Sequence, residues 1–129
     1  MGSAAENDRL VWIDCEMTGL DPAIDEIVEI AIIVTDFELR ALDPGFQIVI
    51  KPDASALANM NEFVTTMHAT SGLLEEIPDG VSLAEAEFEA LEYIQRFVAE
   101  GKAPIAGNTI GTDRMFLAKY MPRVDRWLH

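Results

Sequence analysis

Asp14 and Glu16 stand two residues apart in Leu10-Val11-Trp12-Ile13-Asp14-Cys15-Glu16-Met17, a run otherwise made of apolar and strand-forming residues. On a β-strand this spacing brings both carboxylates out of one face and turns Cys15 the other way, into packing. Two ionised carboxylates so placed repel each other and are costly to desolvate, so a divalent cation is their natural partner. Polar residues on a solvent-facing strand would explain the pair without chemistry, but the run before Asp14 shows no apolar–polar alternation. A third acid, Asp113, follows the polar turn Gly107-Asn108-Thr109-Ile110-Gly111-Thr112 and opens a helix. Capping alone would account for it, because an acid there meets free backbone N–H groups and the positive end of the helix dipole. Glu29, within a second strand, could be a ligand or mark a solvent face, and is left outside the site.

The elements that must position these acids follow from the apolar pattern. Leu10–Met17, Ile27–Phe37 and Phe46–Lys51 read as strands, with Asp43-Pro44-Gly45 in the loop between the last two, and predict an antiparallel meander. Asn59–Thr70 is a weakly patterned helical segment stopped near Gly72. Ser82 and Glu85 form a capping box for a helix that carries Ala84, Phe88, Leu91, Ile94 and Val98 on one face and stops at Gly101. Pro104–Gly107 then reads as a short strand and Asp113–Tyr120 as a helix ending before Pro122. The order predicts an α/β domain with a mixed sheet over residues 10–129, preceded by a loose tail over residues 1–9.

Composition narrows the chemistry. With 129 residues there is room for one domain with a real core. The single cysteine excludes an intrachain disulfide framework and a multi-cysteine zinc site, leaving oxygen to hold any metal. Net charge −14 argues against a broad basic face for long nucleic acid. The charge is uneven, with a balance of −17 over residues 1–100 and +3 over residues 101–129, so the C-terminal end could meet an anion. No run approaches the ~20 apolar residues of a membrane span and no leader opens the chain, which predicts a soluble, cytoplasmic protein.

Asp14-Cys15-Glu16-Met17-Thr18-Gly19-Leu20, followed by Gly107-Asn108 and Ile110-Gly111-Thr112-Asp113-Arg114 with Phe116-Leu117, resembles the first two exonuclease motifs of the oligoribonucleases. These are 3′-to-5′ exonucleases with four acidic metal ligands and a catalytic histidine on a ribonuclease-H-like fold. The resemblance implies that Asp14, Glu16 and Asp113 are catalytic metal ligands for two Mg²⁺ or Mn²⁺ ions, about 3.5–4 Å apart around the scissile phosphate. It implies hydrolysis of short single-stranded RNA, dinucleotides above all, to nucleoside 5′-monophosphates. Leu20 resembles the residue that wedges between the two substrate bases, and Phe63 sits where an aromatic residue stacks on a base. His68 lies where the family has a histidine near the RNA backbone, and Asn108 and Thr109 would add polar contacts. The family's working unit is a homodimer.

The third motif of the family, a histidine followed five positions later by the fourth aspartate, has no counterpart here. Asp125 and His129 occur in the wrong order and spacing. The expectation is therefore a domain incomplete at its C-terminus, lacking its last helices, weak or inactive alone, and with an apolar face left open. A related DNA-proofreading exonuclease and a catalytically inactive metal- or nucleotide-binding module are the competing readings.

Overall fold

The computed structural model describes residues 8–129, so the tail assigned to residues 1–9 falls mainly on residues outside those described. Strand β1 (Arg9–Met17) opens one residue ahead of the expected boundary. It pairs antiparallel with β2 (Ile27–Asp36), which pairs antiparallel with β3 (Phe46–Val49). A two-residue strand, β4 (Ile105–Ala106), joins the other edge of β1 in parallel, giving the order β3-β2-β1-β4. This is the expected meander with one parallel addition.

Burial along β1 corrects the reading that its start lacks alternation. Val11, Ile13, Cys15 and Met17 are buried, while Trp12, Asp14 and Glu16 point to the opposite face. Trp12 hid the alternation because it is apolar yet only half-buried, its indole N–H donating to Thr35 Oγ1 at 2.9 Å. On the covered face Val11, Ile13, Ile30, Ile32 and Val34 form one core with the helices.

Helices α1 (Ala54–Ala58), α2 (Glu62–Ser71) and α3 (Leu73–Glu76) follow β3. Only α2 was anticipated; Gly72, in the left-handed region at φ 86°, ends it as expected. Leu73 and Ile77 pack on Val28 in a small second cluster that fastens this segment to the sheet.

Helix α4 (Leu83–Gln95) starts where expected, with Ser82 Oγ accepting from Glu85 N at 3.1 Å. Its buried face differs from the expected one: Ala86, Ala90, Leu91, Tyr93 and Ile94 face inward, and Val98 beyond the helix end is also buried, whereas Ala84 and Phe88 are exposed. Small Ala86 and Ala90, fully covered, let the helix lie close to the sheet, and their weak hydrophobic signal yielded to that of Phe88. The helix also ends at Gln95, well before Gly101. The Val98 carbonyl accepts from the Trp127 indole N–H at 3.0 Å, so it is committed to another helix.

Helix α5 (Ile110–Tyr120) begins three residues earlier than expected, and α6 (Pro122–Trp127), not anticipated, follows directly. Pro122 ends one helix and opens the next, as proline suits a first turn. Phe116, Leu117, Met121 and Val124 enter the core, and Arg114 Nε bonds Asp125 Oδ1 at 2.6 Å across the two helices.

Candidate active site

The outward alternation of β1 carries Asp14 and Glu16 to one side, and the first turn of α5 brings Asp113 against the strand at Cys15. Asp113 does not behave as a plain cap. Its Oδ2 accepts from the backbone N–H of Cys15, at 3.3 Å, and its Oδ1 from Thr109 Oγ1, also at 3.3 Å. It is 1% exposed and bound across 98 residues of sequence to the peptide between the two other acids.

The three acids line one cleft of about 490 Å³. Burial raises the Glu16 carboxyl above its ordinary range, and the charge of Asp14 raises it further, against a lowering influence of His68. Asp113 is raised in the same way, by burial first and by Asp14 as well, while the Cys15 N–H pulls it down. Burial with the charges of Asp113, Asp14 and Glu16 keeps the Cys15 thiol protonated. These are the signs of anionic oxygens crowded together and short of positive charge.

A hard divalent cation fits this donor set, all carboxylate oxygen with excess negative charge. The acids do not form a closed cage: among the described residues, no three His, Cys, Asp or Glu groups converge enough to enclose an ion. Asp113 reaches the cleft with both oxygens already engaged by donors, so ion binding would require its carboxylate to share or exchange those bonds.

Much of the remaining lining is apolar. Leu20 and Phe63 are each 76% exposed and Met67 42%, an unusual concentration of uncovered hydrophobic side chains beside carboxylates. Sequence reasoning placed Leu20 and Phe63 and missed Met67, Asn61, Val64 and Thr112, which also line the cleft. Met67 follows Phe63 by four residues, one helical turn, and that spacing was the available signal. Thr109 lines the cleft, whereas Asn108 lines an adjoining groove with Trp12, Ala31 and Ile33 that shares Asp14.

His68 sits behind the cleft rather than in its lining. It is 1% exposed and its Nε2–H donates to the carbonyl of Met17 at 2.8 Å, clamping α2 to the end of β1. Glu29 is the direct cross-strand partner of Glu16, accepts from Gln47 Nε2 at 2.5 Å, and stands outside the cleft lining.

Comparison with known proteins gives a consistent picture. A relative from Leifsonia xyli named oligoribonuclease is 73% identical over 127 residues, covering 98% of this chain and 61% of its own length. Oligoribonuclease of Cutibacterium acnes is 53% identical over 121 residues, covering 93% of this chain and 60% of its own. The chain thus spans about three fifths of the length of these relatives. Among solved structures, E. coli exonuclease I in complex with a dT13 oligonucleotide superposes with a TM-score of 0.69 at 20% identity, over 90% of this chain and 24% of that one. The zinc ion-bound form of its single-stranded DNA complex gives 0.70 at the same identity and coverage. The shared fold is the ribonuclease-H-like α/β arrangement. Residues 11–129 match the family model described as Exonuclease, from the second residue of the acid-bearing strand's apolar run onward, and the chain belongs to that exonuclease family.

Proposed function

We propose that this chain is the acid-bearing core of a 3′-to-5′ exoribonuclease that degrades short oligoribonucleotides, dinucleotides foremost, to nucleoside 5′-monophosphates. The observation that carries this is a single cleft lined both by Asp14, Glu16 and Asp113 and by the uncovered side chains of Leu20, Phe63 and Met67. The carboxylates suit a cation-bridged phosphate and the apolar side chains suit bases. The names of the relatives support RNA as the substrate.

In this reading Asp14, Glu16 and Asp113 would hold two divalent cations, Mg²⁺ or Mn²⁺. When bound, these supply Lewis-acid stabilisation of the phosphate and a water made nucleophilic at neutral pH. The chain's own residues bind and orient. Phe63 stacks on a base, a contact worth about 1–3 kcal/mol and tolerant of base identity. Leu20 wedges between the two bases. Thr109 and Asn108 offer polar contacts at the mouth, and His68, beneath the cleft, keeps the end of β1 in place near the RNA backbone. No residue of this sequence is assigned the proton-abstracting role. A small substrate needs few phosphate contacts, which accords with the strongly acidic composition. We further propose a homodimer as the working unit.

The test is hydrolysis of a 5′-labelled RNA dinucleotide with Mg²⁺ or Mn²⁺, by this chain and by a chain extended to the relatives' length, each with an Asp14→Asn control. Cleavage by the extended chain that Asp14→Asn abolishes is the expected result. No cleavage by either, with cation binding retained, would point instead to an inactive binding module. Preference for long DNA would point to a proofreading-type exonuclease.

A further inference from the structure

Between β1 and β2 the chain makes a loop, residues 18–26, whose construction centres on a buried acid that the mechanism does not use. Asp25 is 6% exposed. Its Oδ1 accepts from Thr18 Oγ1 at 2.9 Å and its Oδ2 from the backbone N–H of Asp21 at 3.0 Å. The Thr18 hydroxyl also accepts from Glu26 N at 3.1 Å, and Thr18 N donates to the Glu26 carbonyl at 2.9 Å, closing the base of the loop. Both carboxylate oxygens therefore serve the loop, and Asp25 stands outside the lining of the acid cleft.

The loop is also fastened to the helix that carries Asp113. Tyr120 OH donates to the Asp25 carbonyl at 2.7 Å, and the Lys119 ammonium bonds the Pro22 carbonyl. Lys119 and Tyr120 lie about two turns along α5 from Asp113, so one rigid helix carries an acid of the cleft and the anchor of the loop.

Gly19 completes the device. A Cβ at this position would lie 2.3 Å from Asp25 Oδ2 and 2.6 Å from its Cγ. The space a side chain would need is filled by the carboxylate, which its two donors hold in place. The residue released from this framework is Leu20, 76% exposed beside Phe63 and Met67. A leucine free to move would collapse onto those neighbours to bury its apolar surface. Here the backbone on both sides of it is tied back.

We infer that Asp25 is a positioning residue: it fixes the height of Leu20 above the three carboxylates and thereby sets how well a two-base substrate fits between wedge and acids. This rests on the proposed role of Leu20 as the wedge. Asp25→Ala would let the loop relax while leaving the acids of β1 and α5 where they are.

The experiment measures binding of a labelled RNA dinucleotide by fluorescence anisotropy in Ca²⁺, on the chain extended to the relatives' length, for Leu20→Ala, Asp25→Ala, the double variant and Asp25→Asn. Cation affinity is followed separately by the melting shift with Mn²⁺. Leu20→Ala and Asp25→Ala should each weaken dinucleotide binding between about tenfold and a hundredfold, with Mn²⁺ affinity unchanged. The double variant should be no weaker than Leu20→Ala alone, since Asp25 acts through Leu20. Asp25→Asn should recover most of the loss, because an amide can accept from Asp21 N and donate to the Thr18 hydroxyl. If Asp25→Ala fails to fold, Gly19→Ala applies the same displacement by steric pressure and should give the same loss. A loss with Leu20→Ala but none with Asp25→Ala or Gly19→Ala, or multiplicative losses in the double variant, would overturn the inference. No loss with Leu20→Ala would remove the wedge reading and this inference with it.

Discussion

The two faces of the sheet are built from alternate residues of the same strands and have opposite characters. On the covered face Val11, Ile13, Ile30 and Ile32 are at most 2% exposed beneath α4, α5 and α6. On the other face Trp12 is paired with Ile33, Asp14 with Ala31 and Glu16 with Glu29, and this face stays accessible. Because side chains alternate with period two, one register fixes both faces: a strand slip that buried Asp14 would expose Ile13. The core thus guarantees the orientation of the acids, and the open face is free to carry groups that cost stability. Burial of Cys15 between the acids is the joint between these roles, since its thiol packs inward while its N–H holds Asp113.

The strongest way to break this division is through the core. Phe116 is fully buried on α5, three residues after Asp113, and stacks near Tyr120 at 6.2 Å. Phe116→Ala should cost about 3–5 kcal/mol in urea denaturation, and a loss below 1 kcal/mol would mean that α5 is not part of the core. Asp14→Asn should do the reverse. Dinucleotide hydrolysis by the extended chain should fall more than about 100-fold, since even outer partners of metal ligands are worth 10–100-fold. The folded state without cation should become slightly more stable, because one of several like charges near Glu16 and Asp113 is removed. Destabilisation by this substitution would show that Asp14 has a structural role.

Some of this division could be read from the chain and some could not. Asp14 and Glu16 were legible because a two-residue spacing in a strand leaves one geometric outcome, and the strand itself was plain from its apolar run. The alternation was hidden by Trp12 and Ile33, apolar residues on the open face, since hydrophobicity reports preference for burial and not what is available to cover a side chain. Asp113 was ambiguous for a physical reason: an acid at a helix start is satisfied locally as readily as across the fold, and only the approach of Cys15 N decides. The inner face of α4 was misread because alanine gives little signal, though it sets how close a helix can come. Asp25 escaped notice because a loop acid looks solvated until Thr18 and Asp21 are seen to donate to it.

The electrostatics of the open face offer a subtler test. Glu16 and Asp113 have carboxyls raised by burial and by neighbouring charge. A carboxyl raised in the fold penalises folding above its unfolded pKa, and the penalty grows until the pH passes the folded value. Divalent cations bind the ionised forms and should offset this penalty. Mg²⁺ or Mn²⁺ at a hundredfold excess over its Kd should therefore stabilise the protein by about 2.7 kcal/mol. The melting shift should be larger at pH 8 than at pH 5, where protons compete, and should largely vanish in Asp14→Asn. A shift independent of pH and of Asp14 would place cation binding elsewhere.

The smallest expected effect, at Ile33, gives the sharpest comparison when it is set against the neighbouring residue of the same strand. Ile32 is fully buried and Ile33 is 41% exposed. Removing the same atoms should cost about 2–5 kcal/mol at Ile32, where a cavity opens in a packed core. At Ile33 it should cost no more than about 0.5 kcal/mol, since water already reaches the side chain and nothing collapses when it shrinks. Ile32→Ala and Ile33→Ala compared by urea denaturation at equal m-value make the test, for the slope confirms that both unfold from the same compact state. If the two costs converge, the outer face is covered in solution, and the division between a face for stability and a face for chemistry fails at its plainest point.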